Sequence, residues 1–295
     1  MTGTGSAAMR GHLAMLLFSC LVAGSFSLGV LAAPHIAPAA LNAVRFLIAA
    51  CLVGAAALAT TGIPRSAFRA PWRYAVMGGV LSCYFVLMFH GLKTANAVSA
   101  SAVFTLVPVM AAGFGWLLLR QITTPRMALA LTIGAAGAVW VIFRADVAAL
   151  MRFEIGRGEW IYFWGCVAHA LYTPLVPKLN RGEPPIVFTF GMLCAACLLV
   201  ALYGASDIMS TDWAALPGIV WVTILYVAVF ASAVTFVLMQ YASLRLPSAK
   251  VMAYTYLVPS WVILWEIAKG NGVPPVAVLA GVAMTVLSLW LLLKE

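Results

Sequence analysis

The chain has 295 residues, of which 64% are hydrophobic and 8% charged, with a formal net charge of +9. A soluble domain carries roughly 25% charged residues, so this composition excludes a water-soluble globular protein and requires lipid as the solvent. The basic residues are scattered through short connections and form no run, which excludes a nucleic-acid surface and fits the basic bias of cytoplasmic loops.

A bilayer core of about 30 Å is crossed by about 20 apolar helical residues. Between polar or Gly/Pro breaks the chain offers ten such runs: His12–Leu31, Pro38–Ala59, Arg73–Leu92, Asn96–Leu119, Arg126–Phe143, Glu159–Pro177, Pro185–Tyr203, Leu216–Tyr241, Pro247–Ala268 and Pro274–Leu293. The first follows Arg10 and runs into "LAAPHIA", which resembles a signal-peptide cleavage region. It is long for such a segment and is read as a retained helix. The longest connection, Arg144–Gly158, leaves no room for a soluble domain.

The second run holds Arg45 inside an apolar stretch, about 10 Å along the helix from Pro38 at 1.5 Å per residue. A guanidinium there is expensive in lipid. Two roles fit: a structural one, pinning carbonyls near a broken helix or pairing with an acid, and direct contact with a substrate carboxylate. On the third run Ser82, Cys83 and Tyr84 stand near the middle, with His90 toward one end. On the fourth, Ser101, Thr105 and Pro108 share a face with Ala112 and Gly115. The sixth run aligns Tyr162, Cys166, His169 and Thr173 on one face, with Tyr172 beside His169. A mid-membrane histidine implies a wet cavity or a bond to a neighbouring helix carbonyl. On the ninth, Tyr254, Trp261 and Trp265 form one stripe and Thr255, Pro259 and Glu266 another, although Trp265 also suits an interfacial belt.

The six cysteines all lie inside apolar runs. Cys194 and Cys197 have a redox or metal spacing, but no second pair and no histidine accompanies them, so they read as packing residues. No disulfide, metal or other cofactor is expected.

The fourth and ninth runs repeat each other. "SASAVFTLVP" and "KVMAYTYLVP" both end in Leu-Val-Pro, and the prolines, Pro108 and Pro259, fall near the middle of their spans. An odd number of spans per half makes the halves inverted, so the expected fold is all-α integral membrane. Its ten helices form two inverted five-helix repeats, residues 1–150 and 151–295, around a central cavity. Paired proline-interrupted helices point to a substrate site near the midplane between the halves, though either proline alone is also a common packing kink. With the N-terminus inside, the inner segments hold eleven basic residues and the outer ones five, which places both termini in the cytoplasm.

Pro38-Ala-Ala-Leu41 followed by Arg45-Phe46 resembles the proline–leucine–arginine–phenylalanine signature of the drug/metabolite transporter superfamily, in its ten-helix EamA-type branch. Ala97–Ala102 running into Pro108 supports the resemblance. Two features depart from that pattern. Many relatives place an acid after glycine where the fourth helix ends, whereas this chain reads Leu119-Arg120-Gln121. Glu266 also comes only seven residues after Pro259, inside its span. Within the superfamily the chain looks closest to the YddG-type exporters of aromatic amino acids. That resemblance implies a helical basket around a cavity in a bacterial-type cytoplasmic (inner) membrane, exporting a small-molecule substrate; no oligomer is implied.

A ring-bearing zwitterion needs flat walls and a few dipoles. Tyr84, Trp164, Tyr254 and Tyr256 are the candidate walls, His169, Ser101 and Thr105 the candidate dipoles, and Arg45, Pro108, Pro259 and Glu266 the candidate structural or gating residues. Glu266 is the only acid clearly inside a span, and it lies near the outer mouth, which favours facilitated export. The alternatives are a proton-coupled exporter of another metabolite or drug class, a lipid flippase, and an intramembrane enzyme. Against the enzyme, no His-Glu-x-x-His, paired-aspartate or Gly-x-Ser-x-Gly segment occurs, and no phosphate-binding loop points to ATP.

Overall fold

The computed structural model describes residues 3–152 and 154–293, with side chains from residue 8 onward. Lys294 and Glu295, counted above in the charge balance, lie outside the described residues. All ten apolar runs form helices: α1 Gly3–Ala32, α2 Pro38–Thr60, α3 Trp72–Gly91, α4 Ala97–Leu119, α5 Pro125–Ile142, α6 Arg157–Leu179, α7 Pro185–Tyr203, α8 Gly218–Ser243, α9 Ser248–Ala268 and α10 Val276–Leu293. Among the described residues there is no strand. Nine of these helices are long and apolar enough to cross a bilayer. The exception is α6, as long as its neighbours at 23 residues, whose His169, Thr173, two prolines and terminal charges dilute its apolar content.

Local chemistry sets the helix ends. Proline opens α2, α5 and α7, where its missing N–H costs nothing. Asn96 caps α4 by accepting the Ser99 N–H at 2.8 Å, and Thr124 caps α5 through the Met127 N–H at 3.2 Å.

Both repeated Leu-Val-Pro segments break their helices. In α4 the regular helix stops at Phe104 and restarts at Val107. In α9 a 3-10 turn, Tyr254–Leu257, precedes the restart at Val258. Proline removes one donor and crowds the carbonyl four residues back. Threonine hydroxyls take nearby carbonyls at each break: Thr105 donates to Ala102 and Thr255 to Met252, at 2.7 and 2.8 Å. The Tyr256 carbonyl is taken by the Thr285 hydroxyl of α10 at 3.0 Å, so the α9 break is satisfied by helix packing.

The packing has the symmetry of an inverted repeat. Helix α1 lies against α8 and α9, and α6 lies correspondingly against α3 and α4. The α2–α8 contact is matched by α7–α3, while α2–α7, α4–α9 and α5–α10 each map onto themselves. Exchanging the halves therefore reproduces the arrangement. Small residues let the self-paired helices approach: a Cβ at Gly137 would stand 2.6 Å from the Gly281 carbonyl oxygen, and one at Gly281 would stand 2.8 Å from that of Gly137. Alanine at either position is expected to force α5 and α10 apart.

All odd-numbered helices run one way and all even-numbered ones the other if each crosses the bilayer. Arg69 and Asp212 are both exposed, in connections at opposite ends of the bundle. Single cysteines at these positions are expected to label from opposite sides, Arg69 from the cytoplasm. Labelling of both from outside would remove the topology.

Candidate functional site

At the centre of the bundle lies a void enclosed by α1, α3, α4, α6 and α8. The helices α1 and α6 exchange under the repeat symmetry, as do α3 and α8, so the void sits close to the pseudo-two-fold axis. Its open volume is about 10 Å³, room for roughly one water molecule. The central cavity expected from the sequence is thus closed down in this conformation, because its aromatic walls have met.

His169 is the polar centre of those walls. It is 2% exposed, and neither ring nitrogen has a hydrogen-bond partner among the described residues. Tyr84 lies with its ring centroid 4.4 Å from that of His169, Phe104 at 5.2 Å, and Tyr172 stacks parallel at 6.3 Å. The Tyr84 hydroxyl reaches Tyr162 at 3.0 Å, and the Tyr172 hydroxyl accepts from Gln240 at 2.8 Å. The phenols are therefore satisfied and the imidazole is not. An unpaired buried polar group costs about 1–3 kcal/mol, which leaves His169 ready to bond whatever occupies the void.

Helix α1 closes the other side with Phe18, Val22 and Ser25, and the Ser25 hydroxyl also has no partner among the described residues. These residues were not singled out from the sequence. Their four- and three-residue spacing on one helix face is the signal that would have found them.

Arg45 stands directly behind this wall and is fully buried. Its Nε donates to the Ser232 hydroxyl at 2.6 Å and one terminal nitrogen to the Ala231 carbonyl at 2.6 Å, while the guanidinium lies over the Phe85 ring at 3.7 Å. The other terminal nitrogen has no partner, and among the described residues Arg45 forms no ion pair. Both contacts fall in a π-helical turn of α8, Val229–Val234, in which the Ser232 hydroxyl bonds Val227, five residues back, at 2.7 Å. Two of the residues Arg45 holds, Phe85 and Ala231, line the void.

The remaining candidates lie elsewhere. Ser101 and Thr105 turn their hydroxyls onto their own helix, at Val98 and Ala102, both 2.7 Å away. Tyr256 is buried over Gly134 of α5, where a Cβ would fall 2.4 Å from its ring, and it does not reach the void. Tyr254 meets His12 at 3.0 Å, toward the N-terminal end of the bundle. Trp164 is 51% exposed on an outer aromatic cluster with Trp160 and Phe163, so the structure does not bring it to His169. Its face of α6 points away from the bundle axis. Pro108 and Pro259 are buried at the α4 and α9 breaks. Glu266 has both oxygens occupied, by Lys269 at 2.8 Å and Asn271 at 2.6 Å, and Lys269 also reaches the Ser27 carbonyl of α1 at 3.4 Å.

His169→Ala is expected to change the ranking of aromatic over aliphatic cargos with expression near normal, whereas Trp164→Ala should leave it unchanged. Competition assays in proteoliposomes would show this. Unchanged ranking in His169→Ala would move the binding wall elsewhere.

The chain is 23% identical, over 276 residues, to the uncharacterized transporter YyaM of Bacillus subtilis (strain 168), covering 92% of this chain and 90% of that protein. A protein of known crystal structure superposes with a TM-score of 0.73 at 23% identity, over 98% of this chain and 97% of its own, which shows a shared fold. The EamA-like transporter family model matches twice, over residues 9–143 and 156–294, once in each half. With the family pattern present in both halves, the chain belongs to the EamA-like transporter family, and it is a multi-pass membrane transporter and not an enzyme.

Proposed function

We propose that this transporter exports small metabolites by alternating access, with aromatic amino acids as cargo, running down their own gradient. The observation that carries the reading is the central wall itself: the rings of Tyr84, Phe85 and Phe104 around a histidine with two unpartnered nitrogens. Flat apolar walls suit a side-chain ring, and His169 and Ser25 offer dipoles to its polar end. Cargo enters once α1 draws back from α3 and α6.

That movement is plausible in energetic terms. Among the described residues no hydrogen bond joins α1 to α3 or α6, and its polar links to α8 and α9 are few: His12 to Tyr254, Trp261 to Ser19 at 3.3 Å, Lys269 to Ser27, and the Thr223 and Tyr226 hydroxyls to the Leu28 and Leu21 carbonyls. Each such bond contributes about 0.5–1.5 kcal/mol net, a scale that binding of a substrate can offset.

The absence of proton coupling is supported by Glu266. A coupling carboxylate must exchange its proton as cargo binds, whereas Glu266 is held by an ammonium and an amide. The test is a tracer panel of tryptophan, phenylalanine and alanine in proteoliposomes, with and without a pH step. Tryptophan and phenylalanine are expected to equilibrate faster than alanine without accumulating, and Glu266→Gln should retain most transport. Gradient-driven accumulation that disappears in Glu266→Gln would make Glu266 the coupling residue.

A further inference from the structure

The α2–α3 and α6–α7 connections meet at one end of the bundle and enclose a recess of about 290 Å³. Pro64, Ser66 and Arg69 line it from the first connection, and Arg181, Glu183 and Pro184 from the second. Both arginines are exposed, and among the described residues neither guanidinium forms an ion pair or a hydrogen bond. Glu183 does not neutralise them. It is buried, with one oxygen on Arg73 at 2.6 Å and the other on the Arg181 N–H at 2.7 Å. Arg69, Arg73 and Arg181 set against Glu183 leave two positive charges in excess.

The turns that carry these arginines are held in place. Arg73 donates to the Arg69 carbonyl at 3.2 Å, and the Tyr74 hydroxyl to that of Ala67 at 2.9 Å. Ala67 is buried against Val187 of α7. In the second turn the Asn180 side chain accepts the Gly182 N–H at 2.8 Å and donates to the Glu183 carbonyl at 3.1 Å. Exchange of the halves carries the two connections onto α7–α8 and α1–α2. Residues 204–217 hold Asp207 and Asp212 but no Arg or Lys, and the only ionisable side chain in residues 33–37 is His35. The basic recess therefore belongs to one end of the molecule and is not a product of the repeat. Beside it in the chain, Phe68 and Trp72 are 67% and 53% exposed, as suits aromatic residues at a membrane–water interface.

We propose that this recess binds the phosphate of an anionic phospholipid headgroup between Arg69 and Arg181, with the acyl chains in the bilayer that Phe68 and Trp72 enter. Guanidinium groups are suited to phosphate oxygens, and Ser66 adds a hydroxyl donor. Basic pockets at helix ends take lipid headgroups in this way. The aromatic pair favours lipid over free phosphate, because it sets the recess at the depth of the headgroups. The site is independent of the aromatic amino-acid reading, because it shares no lining residue with the central void.

The experiment is binding of tritiated phosphatidylglycerol to the full chain, captured on scintillation beads in detergent. Unlabelled phosphatidylglycerol, phosphatidylcholine and inorganic phosphate are the competitors. Saturable binding is expected, displaced by phosphatidylglycerol at least tenfold more readily than by phosphatidylcholine and not by millimolar phosphate. The double variant Arg69→Gln/Arg181→Gln should weaken binding at least tenfold. It should also fold, since the Arg69 carbonyl and the Arg181 N–H that serve Arg73 and Glu183 are backbone groups. Ser66→Glu places a carboxylate in the recess and should weaken binding as much. Arg245→Gln removes another exposed charge, one stacked on Tyr241 at 3.6 Å, and should leave binding unchanged. Melting temperatures confirm that each variant is folded. Unchanged binding in the double variant or in Ser66→Glu, or equal competition by phosphatidylcholine, would overturn the site. An equal loss in Arg245→Gln would show diffuse attraction to basic charge and overturn it too. Displacement by inorganic phosphate would make free phosphate the ligand and overturn the lipid assignment. If the double variant fails to fold, Ser66→Glu decides alone.

Discussion

Arg45→Ala is expected to reduce export of every cargo more than tenfold and to lower the melting temperature of the purified protein. The guanidinium fastens α2 to the π-helical turn of α8 through Ser232 and the Ala231 carbonyl. It also covers the Phe85 ring, and both Phe85 and Ala231 line the central void. Truncation removes two hydrogen bonds from a charged donor, each worth about 1.5–3 kcal/mol, and opens space beside Phe85. Part of that cost is offset, because an incompletely bonded buried guanidinium is removed with it. Arg45→Met separates these effects, since it fills most of the space without the charge. It should melt closer to wild type than Arg45→Ala and still lose transport, because nothing then holds the Ala231 carbonyl in place. A folded variant that loses only carboxylate-bearing cargos would mean that Arg45 contacts substrate directly through its unpartnered nitrogen.

Helix ends were largely readable from the sequence because they are written in local chemistry. Proline at the first helical position, Asn96 at the start of the fourth run and the duplicated Leu-Val-Pro each impose a backbone consequence that no distant contact has to supply. Facing was readable only in part: Tyr162, Cys166, His169 and Thr173 form the buried face of α6 that their spacing suggests, but the scattered aromatic residues could not be sorted. In a soluble helix, water sorts side chains and leaves a period of 3.6 residues. In lipid the outer surface is as apolar as the inner one, and the period fades. Trp164 and Tyr84 look equivalent as membrane aromatics, yet one is half exposed and the other lies against His169.

Hydroxyl groups mislead for a related reason. Without water, Ser101 and Thr105 bond carbonyls of their own helix, so a polar residue type does not imply a polar surface. The π-helical turn was equally hidden, because Val229–Val234 reads as unbroken apolar helix until Arg45 is seen to hold its carbonyl. Arg45 itself announced that something unusual lay within reach. Its partners came from α8, 186 and 187 residues away in sequence, and no local pattern could name them.

Removing one partner of the Arg73–Glu183 pair is the second change expected to have a large effect. Arg73 opens α3, and its side chain is 1% exposed. It bonds Glu183 at 2.6 Å and also donates to the Leu179, Arg69 and Ala70 carbonyls, tying α3 to the α6–α7 connection. Burial alone would raise the Glu183 pKa, but the bonds from Arg73 and the Arg181 N–H outweigh it and leave this carboxyl below its ordinary value. Because the folded value is depressed, the pair contributes its full stability above the unfolded carboxylate range, about 4.3. That contribution is lost as pH falls through the lower folded value. Glu183→Gln should therefore cost about 3–5 kcal/mol near neutral pH, the scale for stranding one member of a buried pair. The gap from wild type should close only in acid, below about pH 4. The double variant Arg73→Met/Glu183→Leu should melt closer to wild type than Glu183→Gln does, because no charge is then left buried alone. Thermal unfolding in detergent across this pH range reads all of these. A Glu183→Gln protein as stable as wild type near neutral pH would show that the three carbonyls alone satisfy Arg73.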